Sequence, residues 1–339
     1  GSETLGFTAA TYSDANVATA NKYLTALTLA DNGSYLASNY QLPTLNVTNA
    51  AATINTASLT VTGNSRIVSY NGGAQTNTFS TSGLVGSDTV TSVTGLASGT
   101  NYSATPYADN LSAASGTGLS NYTISYTNGS LTINKASLTV TGANNTVTYD
   151  GSVRTNSGAS YSGQQGSDSF TIGGYASGIN AGAYTDSLSL TTLSGNGLSN
   201  YEVTYTQGRL TINAAGINAL AIGGSKTYDG NAVFNASSLS LSGIISSDIG
   251  QVLLTGSAAV ASKNVGTYTS WTTDNLSLSG SASSNYTLTG GTVSVTISPA
   301  TVTLASISKT YDGSTSTGNT SMTISGVGTE TLSFSAATY

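Results

Sequence analysis

The sequence predicts an all-β protein: a linear array of β domains of about 80 residues each, Ig-like sandwiches or β-grasp-like folds arranged as beads on a string. Three observations carry this expectation. Short segments alternate apolar and hydroxyl side chains with a period of two, as half-buried strands do. Gly preceded by Asn, Asp or Gln punctuates them at turn positions. The chain also repeats itself: Ala57-Ser-Leu-Thr-Val-Thr-Gly63 returns letter for letter as Ala136-Ser-Leu-Thr-Val-Thr-Gly142. Leu119-Ser-Asn-Tyr-Thr-Ile-Ser-Tyr126 returns as Leu198-Ser-Asn-Tyr-Glu-Val-Thr-Tyr205 at the same interval. Self-similarity at a fixed period marks repeat architectures.

Further anchors hold the period. Asn-Tyr pairs end at Tyr40, Tyr122, Tyr201 and Tyr286, and Thr-Ile-(Asn/Ser) closes at Ile54, Ile133, Ile212 and Ile297. Tyr-(Asp/Asn)-Gly begins at Tyr70, Tyr149, Tyr228 and Tyr311, and Ser-Asp pairs place Asp88, Asp168 and Asp248 at even intervals. The chain therefore divides into 1–56, the C-terminal part of a repeat; 57–135, 136–214 and 215–300, complete repeats; and 301–339, the N-terminal part of another. Gly328-Thr-Glu-Thr-Leu-Ser-Phe-Ser-Ala-Ala-Thr-Tyr339 nearly copies Gly1-Ser-Glu-Thr-Leu-Gly-Phe-Thr-Ala-Ala-Thr-Tyr12. The chain is expected to be a mature fragment or an excised piece of something longer, and its two partial repeats complement each other end to end.

Within a repeat, Tyr122, Ile124 and Tyr126 alternate with Thr123 and Ser125; Asn128-Gly129 then predicts a two-residue hairpin into the strand of Leu131 and Ile133. Tyr201, Val203 and Tyr205, the Gln207-Gly208 turn, and Leu210 and Ile212 copy this, and Val293, Val295 and Ile297 alternate behind Gly290-Gly291. Tyr122, Tyr126, Tyr201 and Tyr205 are thus expected in the core. Lys226-Thr-Tyr-Asp-Gly230 and Lys309-Thr-Tyr-Asp-Gly313 set an aromatic beside a predicted type I′ turn. Asn71-Gly72 after Tyr70 keeps that turn chemistry without the acid, so the Asp serves the turn. Tyr149, Asp150, Gly151, Tyr228, Asp229, Gly230, Tyr311, Asp312 and Gly313 are accordingly read as structural turn motifs. No helical apolar stripe is present, and helix formers are scarce: three Glu, five Lys and one Met. Links such as Asn134-Lys135, Asn213-Ala214 and Ser298-Pro299 are short, which couples neighbouring domains rigidly.

Composition removes several function classes. Without Cys or His there is no disulfide, thiolate or imidazole metal site, and no Ser-His-Asp relay. A net charge of −6 with only 8 Lys and Arg argues against a nucleic-acid partner. No apolar run reaches the ~18 residues of a membrane helix, so no membrane insertion is expected. The 20 tyrosines and plentiful β-branched residues argue against disorder.

Candidate sites are few. The acids Asp88, Asp109, Asp150, Asp168, Asp186, Asp229, Asp248, Asp274 and Asp312 come singly, so turn or cap roles are expected and no cofactor is implied; a weak inter-domain Ca²⁺ site, best placed at the three Ser-Asp positions, is the alternative. Glu3, Glu202 and Glu330 are too sparse for a glycosidase pair, so no enzyme is expected. The lysines near repeat joints, Lys135, Lys226, Lys263 and Lys309, are expected to be ordinary solvated ones. Trp271, the single Trp, is the candidate for stacking on a sugar. Sequons such as Asn101, Asn121, Asn275 and Asn285 would accept glycans in some secretory settings.

The Lys-Thr-Tyr-Asp-Gly motif, Lys263-Asn-Val-Gly-Thr267, Ser284-Asn-Tyr-Thr-Leu288 and Ile297-Ser-Pro-Ala300 together resemble the tandem YDG/MBG-type repeats of large secreted bacterial adhesins, filamentous-haemagglutinin-like and biofilm-matrix proteins among them. The resemblance is best over 216–339; 57–135 and 136–214 look like the MBG sister type, and 57–135 departs by Asn71 and by lacking a lysine before Tyr70. It implies a secreted or cell-surface stalk of β domains with no catalytic residues. The expected function is therefore a non-enzymatic adhesive stalk, its partners extracellular polysaccharide or a neighbouring cell surface, with end-to-end self-association as a further one. The alternatives are a filament subunit whose split terminal halves complete one another between chains, and a carbohydrate-binding module.

Overall fold

Alternating hydroxyl and apolar residues form short strands throughout a computed structural model that describes residues 4–216, 222–288, 292–304, 308–316, 324–330 and 332. The protein is all-β; helical geometry among the described residues is limited to three-residue 3-10 turns such as Leu119–Asn121 and Leu198–Asn200. The chain forms two compact units, one of Gly1–Thr139, Tyr161–Thr171 and Leu190–Thr204, the other of Val140–Ser160, Ile172–Ser189 and Tyr205–Tyr339. The dividing line therefore runs inside 136–214 rather than beside it.

In the first unit, Tyr122–Thr127 lies parallel to Ala57–Gly63, Tyr122 opposite Ala57, and Phe79–Ser82 pairs antiparallel on the other edge. Ser130–Asn134 lies parallel to Ser65–Ser69, with Tyr107–Ala108 antiparallel beside it. Two successive strands at the start of the segment thus pair with two successive strands at its end, in different sheets. Leu59, Val61, Leu131 and Ile133 are 0–1 % exposed, so the period-two face closes a dry core.

This pairing corrects the hairpin expected at Asn128-Gly129. Tyr122–Thr127 and Ser130–Asn134 belong to different sheets, and the chain changes sheets between them. The corner is stitched by Ser130 N–H to the Asn64 carbonyl at 3.1 Å, and a Cβ on Gly129 would sit 2.3 Å from the Gly63 carbonyl oxygen. Gly is needed there because two sheet-changing corners cross in backbone contact.

In the second unit, Asn144–Thr148 runs parallel to Arg209–Asn213, with Gly182–Thr185 antiparallel on the far side of Arg209–Asn213. Ile222–Thr227 runs parallel to Val293–Ser298; Leu239–Ser240 pairs with the former and Gly266–Tyr268 with the latter. Phe234, Val260, Val295 and Ile297 form the core there, all at most 3 % exposed. The Gly290-Gly291 turn and Glu3 lie outside the described residues. Residues 1–56 contribute the antiparallel pair Gly6–Tyr12 and Leu24–Ala30, and the C-terminal stretch the pair Thr303–Leu304 and Ile324–Ser325.

Of the tyrosines assigned to the core, Tyr122 and Tyr201 are buried, Tyr126 is half-buried and Tyr205 is 38 % exposed. Tyr205 is the penultimate residue of its strand, Tyr201–Thr206, along which burial falls from Tyr201 toward the C-terminal end.

Candidate functional site

Three of the Asn-Tyr pairs share one local setting: Asn121, Asn200 and Asn285 each end a single 3-10 turn and Tyr122, Tyr201 and Tyr286 each open a strand, whereas Tyr40 follows such a turn without opening a strand. The Tyr hydroxyl then meets the Ser-Asp carboxylate of the same segment. Tyr122 Oη donates to Asp88 Oδ2 at 2.8 Å, Tyr201 Oη to Asp168 Oδ2 at 2.6 Å, and Tyr286 Oη to Asp248 Oδ2 at 2.8 Å. Each hydroxyl also accepts a backbone N–H from just before the acid, that of Val85, Gln165 and Ile245 respectively.

A second tyrosine reaches two of these carboxylates from the preceding segment. Tyr70 Oη donates to Asp168 Oδ2 at 2.7 Å, and Tyr149 Oη donates to Asp248 Oδ2 at 2.7 Å. The two rings at each carboxylate meet edge to face, Tyr70 on Tyr201 at 5.4 Å and Tyr149 on Tyr286 at 5.6 Å. Asn196 completes the first clasp, its N–H donating to Asp168 Oδ1 at 2.7 Å and its Nδ2 to Tyr70 Oη at 3.0 Å; Ser247 Oγ donates to Asp248 Oδ1 at 3.1 Å. Asp168 and Asp248 are only 4 % and 6 % exposed, and their partners among the described residues are neutral donors. Burial alone would raise their pKa, but the tyrosine hydroxyls and the remaining donors outweigh it and hold both carboxyls below the usual 3.8. The tyrosines shift the other way: burial, with the anion adding to it, raises Tyr201 and Tyr70, and lifts Tyr286 to about 12.

The Asn before each of these strand-opening tyrosines makes a companion contact. Asn121 Oδ1 accepts Val17 N–H at 2.8 Å while its Nδ2 donates to Asn16 Oδ1 at 3.2 Å. Asn200 does the same with Tyr102 N–H and Asn101, and Asn285 with Ala181 N–H and Asn180. One amide side chain thus closes both a donor and an acceptor on the preceding segment. The sequon nitrogens of Asn121 and Asn285 are therefore engaged, and Asn285 is buried.

The Tyr-Asp-Gly turns present the donating tyrosines. Asn71 Oδ1 accepts from Gly73 N–H, Asp150 Oδ1 from Ser152, Asp229 Oδ1 from Asn231 and Asp312 Oδ1 from Ser314. These are Asx turns, which Asn and Asp close equally. Positive φ falls on Gly72, Gly151, Gly230 and Gly313 but not on the Asp or Asn before them, so the turns are not the type I′ expected, which needs both. Lys226 is likewise not solvated: Nζ donates to Asp229 Oδ1 at 2.8 Å, to Asn231 O and Oδ1 at 2.8 Å, and to Val233 O at 2.9 Å, leaving the side chain 11 % exposed. Lys309 repeats this cage with Asp312, Ser314 and Ser316. Tyr228 Oη donates to Glu330 Oε1, which Lys263 Nζ also reaches at 2.9 Å, and both partners pull the Glu330 carboxyl below its usual pKa. Glu330 thus stands where Asp168 and Asp248 stand in the earlier clasps.

Asp109 and Asp186, buried singletons, hold the sheet-changing corners. Asp109 accepts from Ala97 N–H at 2.7 Å, Gly129 N–H at 2.9 Å and Asn77 Nδ2 at 2.9 Å; Asp186 accepts from Ala176 N–H at 2.7 Å and Asn156 Nδ2 at 2.8 Å. Asn156 Oδ1 receives Asn145 Nδ2, whereas the buried Asn77 Oδ1 has no partner among the described residues. Arg66 holds the place before Asn77 that Asn145 holds before Asn156, and its guanidinium turns away to the Thr76 carbonyl.

Trp271, the candidate sugar-stacking residue, packs half-buried against Phe234 at 5.9 Å beside the Val260, Val295 and Ile297 core, with its indole Nε1 buried. Among the described residues no group of three or more Asp and Glu is placed to hold a metal. The three Ser-Asp carboxylates each receive a tyrosine hydroxyl.

Residues 213–295 match the YDG domain family. No curated protein and no solved structure matches the chain. The YDG domain spans the Lys226 cage, Trp271, Asp248 and Tyr286, and so holds the acceptor side of one clasp and, in Tyr228, the donor side of the next.

Proposed function

We propose that the chain is a non-enzymatic, tandem-repeat stalk from an extracellular bacterial adhesin, projecting from the cell and contributing to cell–cell or matrix attachment. The observation that carries the reading is the recurrence of one contact: a turn tyrosine of each segment donates to an acid of the next, at Asp168, Asp248 and Glu330. A series of like ties suits a part that transmits tension. The YDG domain match over 213–295 supports a YDG-type repeat in that part of the chain. Low charge and abundant hydroxyls suit a surface that meets polysaccharide or a neighbouring cell.

Force spectroscopy on the whole chain tests this. Segments of roughly 80 residues give unfolding steps of roughly 25 nm, from about 3.5 Å per extended residue less the folded length. Regular steps at forces lowered by Tyr70→Phe are expected; smooth extension at low force would refute a mechanical role. Display of the chain on a non-adherent cell should increase aggregation or matrix retention, and no increase would refute the adhesive part.

A further inference from the structure

In each of the three complete segments a strand near the start runs parallel, in register, to a strand at the end. Ser65–Ser69 lies along Ser130–Asn134, Asn144–Thr148 along Arg209–Asn213, and Ile222–Thr227 along Val293–Ser298. Each ladder continues by one backbone bond into the turn tyrosine, whose N–H donates to the last residue of the closing strand. Tyr70 donates to the Asn134 carbonyl, Tyr149 to Asn213 and Tyr228 to Ser298, all at 2.8 Å. In 57–135 a second parallel ladder, Ala57–Gly63 with Tyr122–Thr127, precedes the first. Phe79–Ser82 and Tyr107–Ala108, from the middle of that segment, flank the two ladders as antiparallel edges.

Tension along the chain meets these ladders in one particular way. The chain enters 57–135 at Ala57, the first residue of one paired strand, and leaves at Asn134, the last residue of another. Pulling therefore draws parallel partners lengthwise from opposite ends, and the evenly spaced bonds between them are strained together. A hairpin entered and left at one end would instead open bond by bond. The core side of the ladders is dry, with Leu59, Val61, Leu131 and Ile133 at 0–1 % exposure, so water cannot replace a strained bond from there. On the solvent side hydroxyl pairs bridge the same partners, Thr56 Oγ1 with Thr123 Oγ1 at 2.7 Å and Thr60 Oγ1 with Ser125 Oγ at 3.2 Å. Load also arrives at Tyr70 through the Asp168 clasp, next to the strand that Ser130–Asn134 partners, so clasp and ladder share it.

We propose that the parallel ladders are shear clamps: they carry tension through a segment and set the force at which it opens, and the flanking antiparallel strands separate only after a ladder has failed. The inference rests on the reading of the chain as a stalk under tension and names the element that bears the load. The tyrosine–carboxylate clasps pass load from segment to segment; the ladders resist it within each one.

The direction of pulling tests this on the whole chain, which has no native cysteine to compete with engineered handles. Ser58, Thr123 and Thr127 are exposed, and Ser58 is the register partner of Thr123. Handles on Ser58→Cys/Thr127→Cys load the ladder lengthwise; handles on Ser58→Cys/Thr123→Cys draw the same two strands apart across it. At one loading rate in optical tweezers, lengthwise rupture should need at least about twice the force of crosswise rupture, because the ladder must break as a unit. In the second unit Asn144→Cys/Asn213→Cys against Asn144→Cys/Arg209→Cys repeats the contrast at exposed positions of the Asn144–Thr148 ladder, and the same order is expected. Equal forces in the two directions, or a weaker lengthwise direction, overturn the clamp. Regular steps on end-to-end pulling with no directional difference would refute the clamp alone. A directional difference in a chain that adds no adhesion when displayed on cells would uphold the clamp and refute the adhesive reading.

Discussion

Replacing Tyr70 by phenylalanine removes one hydroxyl from the buried clasp and keeps the ring that packs on Tyr201 at 5.4 Å. Two bonds go with it: the 2.7 Å donation to Asp168 and the 3.0 Å acceptance from Asn196 Nδ2, which is left with the Gly72 carbonyl at 3.4 Å. A hydrogen bond to a charged group contributes about 1.5–3 kcal/mol, and Asp168 is too buried for water to replace the lost donor. The expected cost is about 2–3 kcal/mol. Tyr122→Phe at the half-buried Asp88 should cost clearly less, because water can reach that carboxylate. Urea unfolding of the 339-residue chain reads both as shifts in midpoint at constant slope. The Tyr70 effect is also pH-dependent. Asp168 has a folded-state pKa below its unfolded 3.8, so its contribution is complete above 3.8 and is lost as pH falls through the lower folded value. The difference between variant and wild type should therefore shrink as pH falls through that lower folded value. A cost within about 0.5 kcal/mol of zero, or no larger than that of Tyr205→Phe on the exposed strand end, would refute the assignment of Asp168 as a hydrogen-bonded anion.

Tyrosinate absorbance on raising the pH should show a late-ionising class of buried phenols, Tyr286 at about 12 together with the raised Tyr201, Tyr70, Tyr149 and Tyr122, whose stabilisation is complete below the unfolded value of 10 and lost as pH rises through the raised folded values; absence of a late class would contradict this. Arg66→Asn should stabilise by up to about 1 kcal/mol by giving Asn77 Oδ1 the donor that Asn145 gives Asn156, and an unchanged or lowered thermal midpoint would contradict it. Lys226→Met should cost about 2–3 kcal/mol by removing the four hydrogen bonds that the ammonium donates within its cage. Lys263→Met, whose side chain is 48 % exposed, should cost far less in the same urea titration, and equal costs would show that the cage adds nothing.

Much of the local structure was legible in the sequence. The alternation of Leu59 and Val61, and of Leu131 and Ile133, with Ser and Thr identifies the strands because a pleat exposes every second side chain. Strand partners were not legible. Asn128-Gly129 is a strong local hairpin signal, but Tyr122–Thr127 pairs with the distant Ala57–Gly63, and Gly129 is there for the crossing with Gly63. The clasps were half legible. The recurring Tyr-Asp-Gly tyrosines and Ser-Asp acids share one period, yet Tyr70 and Asp168 are 98 residues apart and nothing local joins them. One signal could have found them: Glu330 falls one repeat length after Asp248, keeping an acid in step with the tyrosines when the Asp is lost. Trp271 illustrates the opposite limit, since a lone aromatic with no counterpart in other segments fills a core gap beside Phe234 as readily as it faces solvent.

If the tyrosine–carboxylate clasp fixes one segment rigidly on the next, the two sides of a clasp must tumble as one body. Residual dipolar couplings read this directly, with residues 57–135 compared with residues 161–171 and 190–204 of the same compact unit. The wild-type chain should fit a single alignment tensor across both sets, and Asp168→Ala should split it into two of different magnitude. Two independent tensors in the wild type would contradict a rigid clasp.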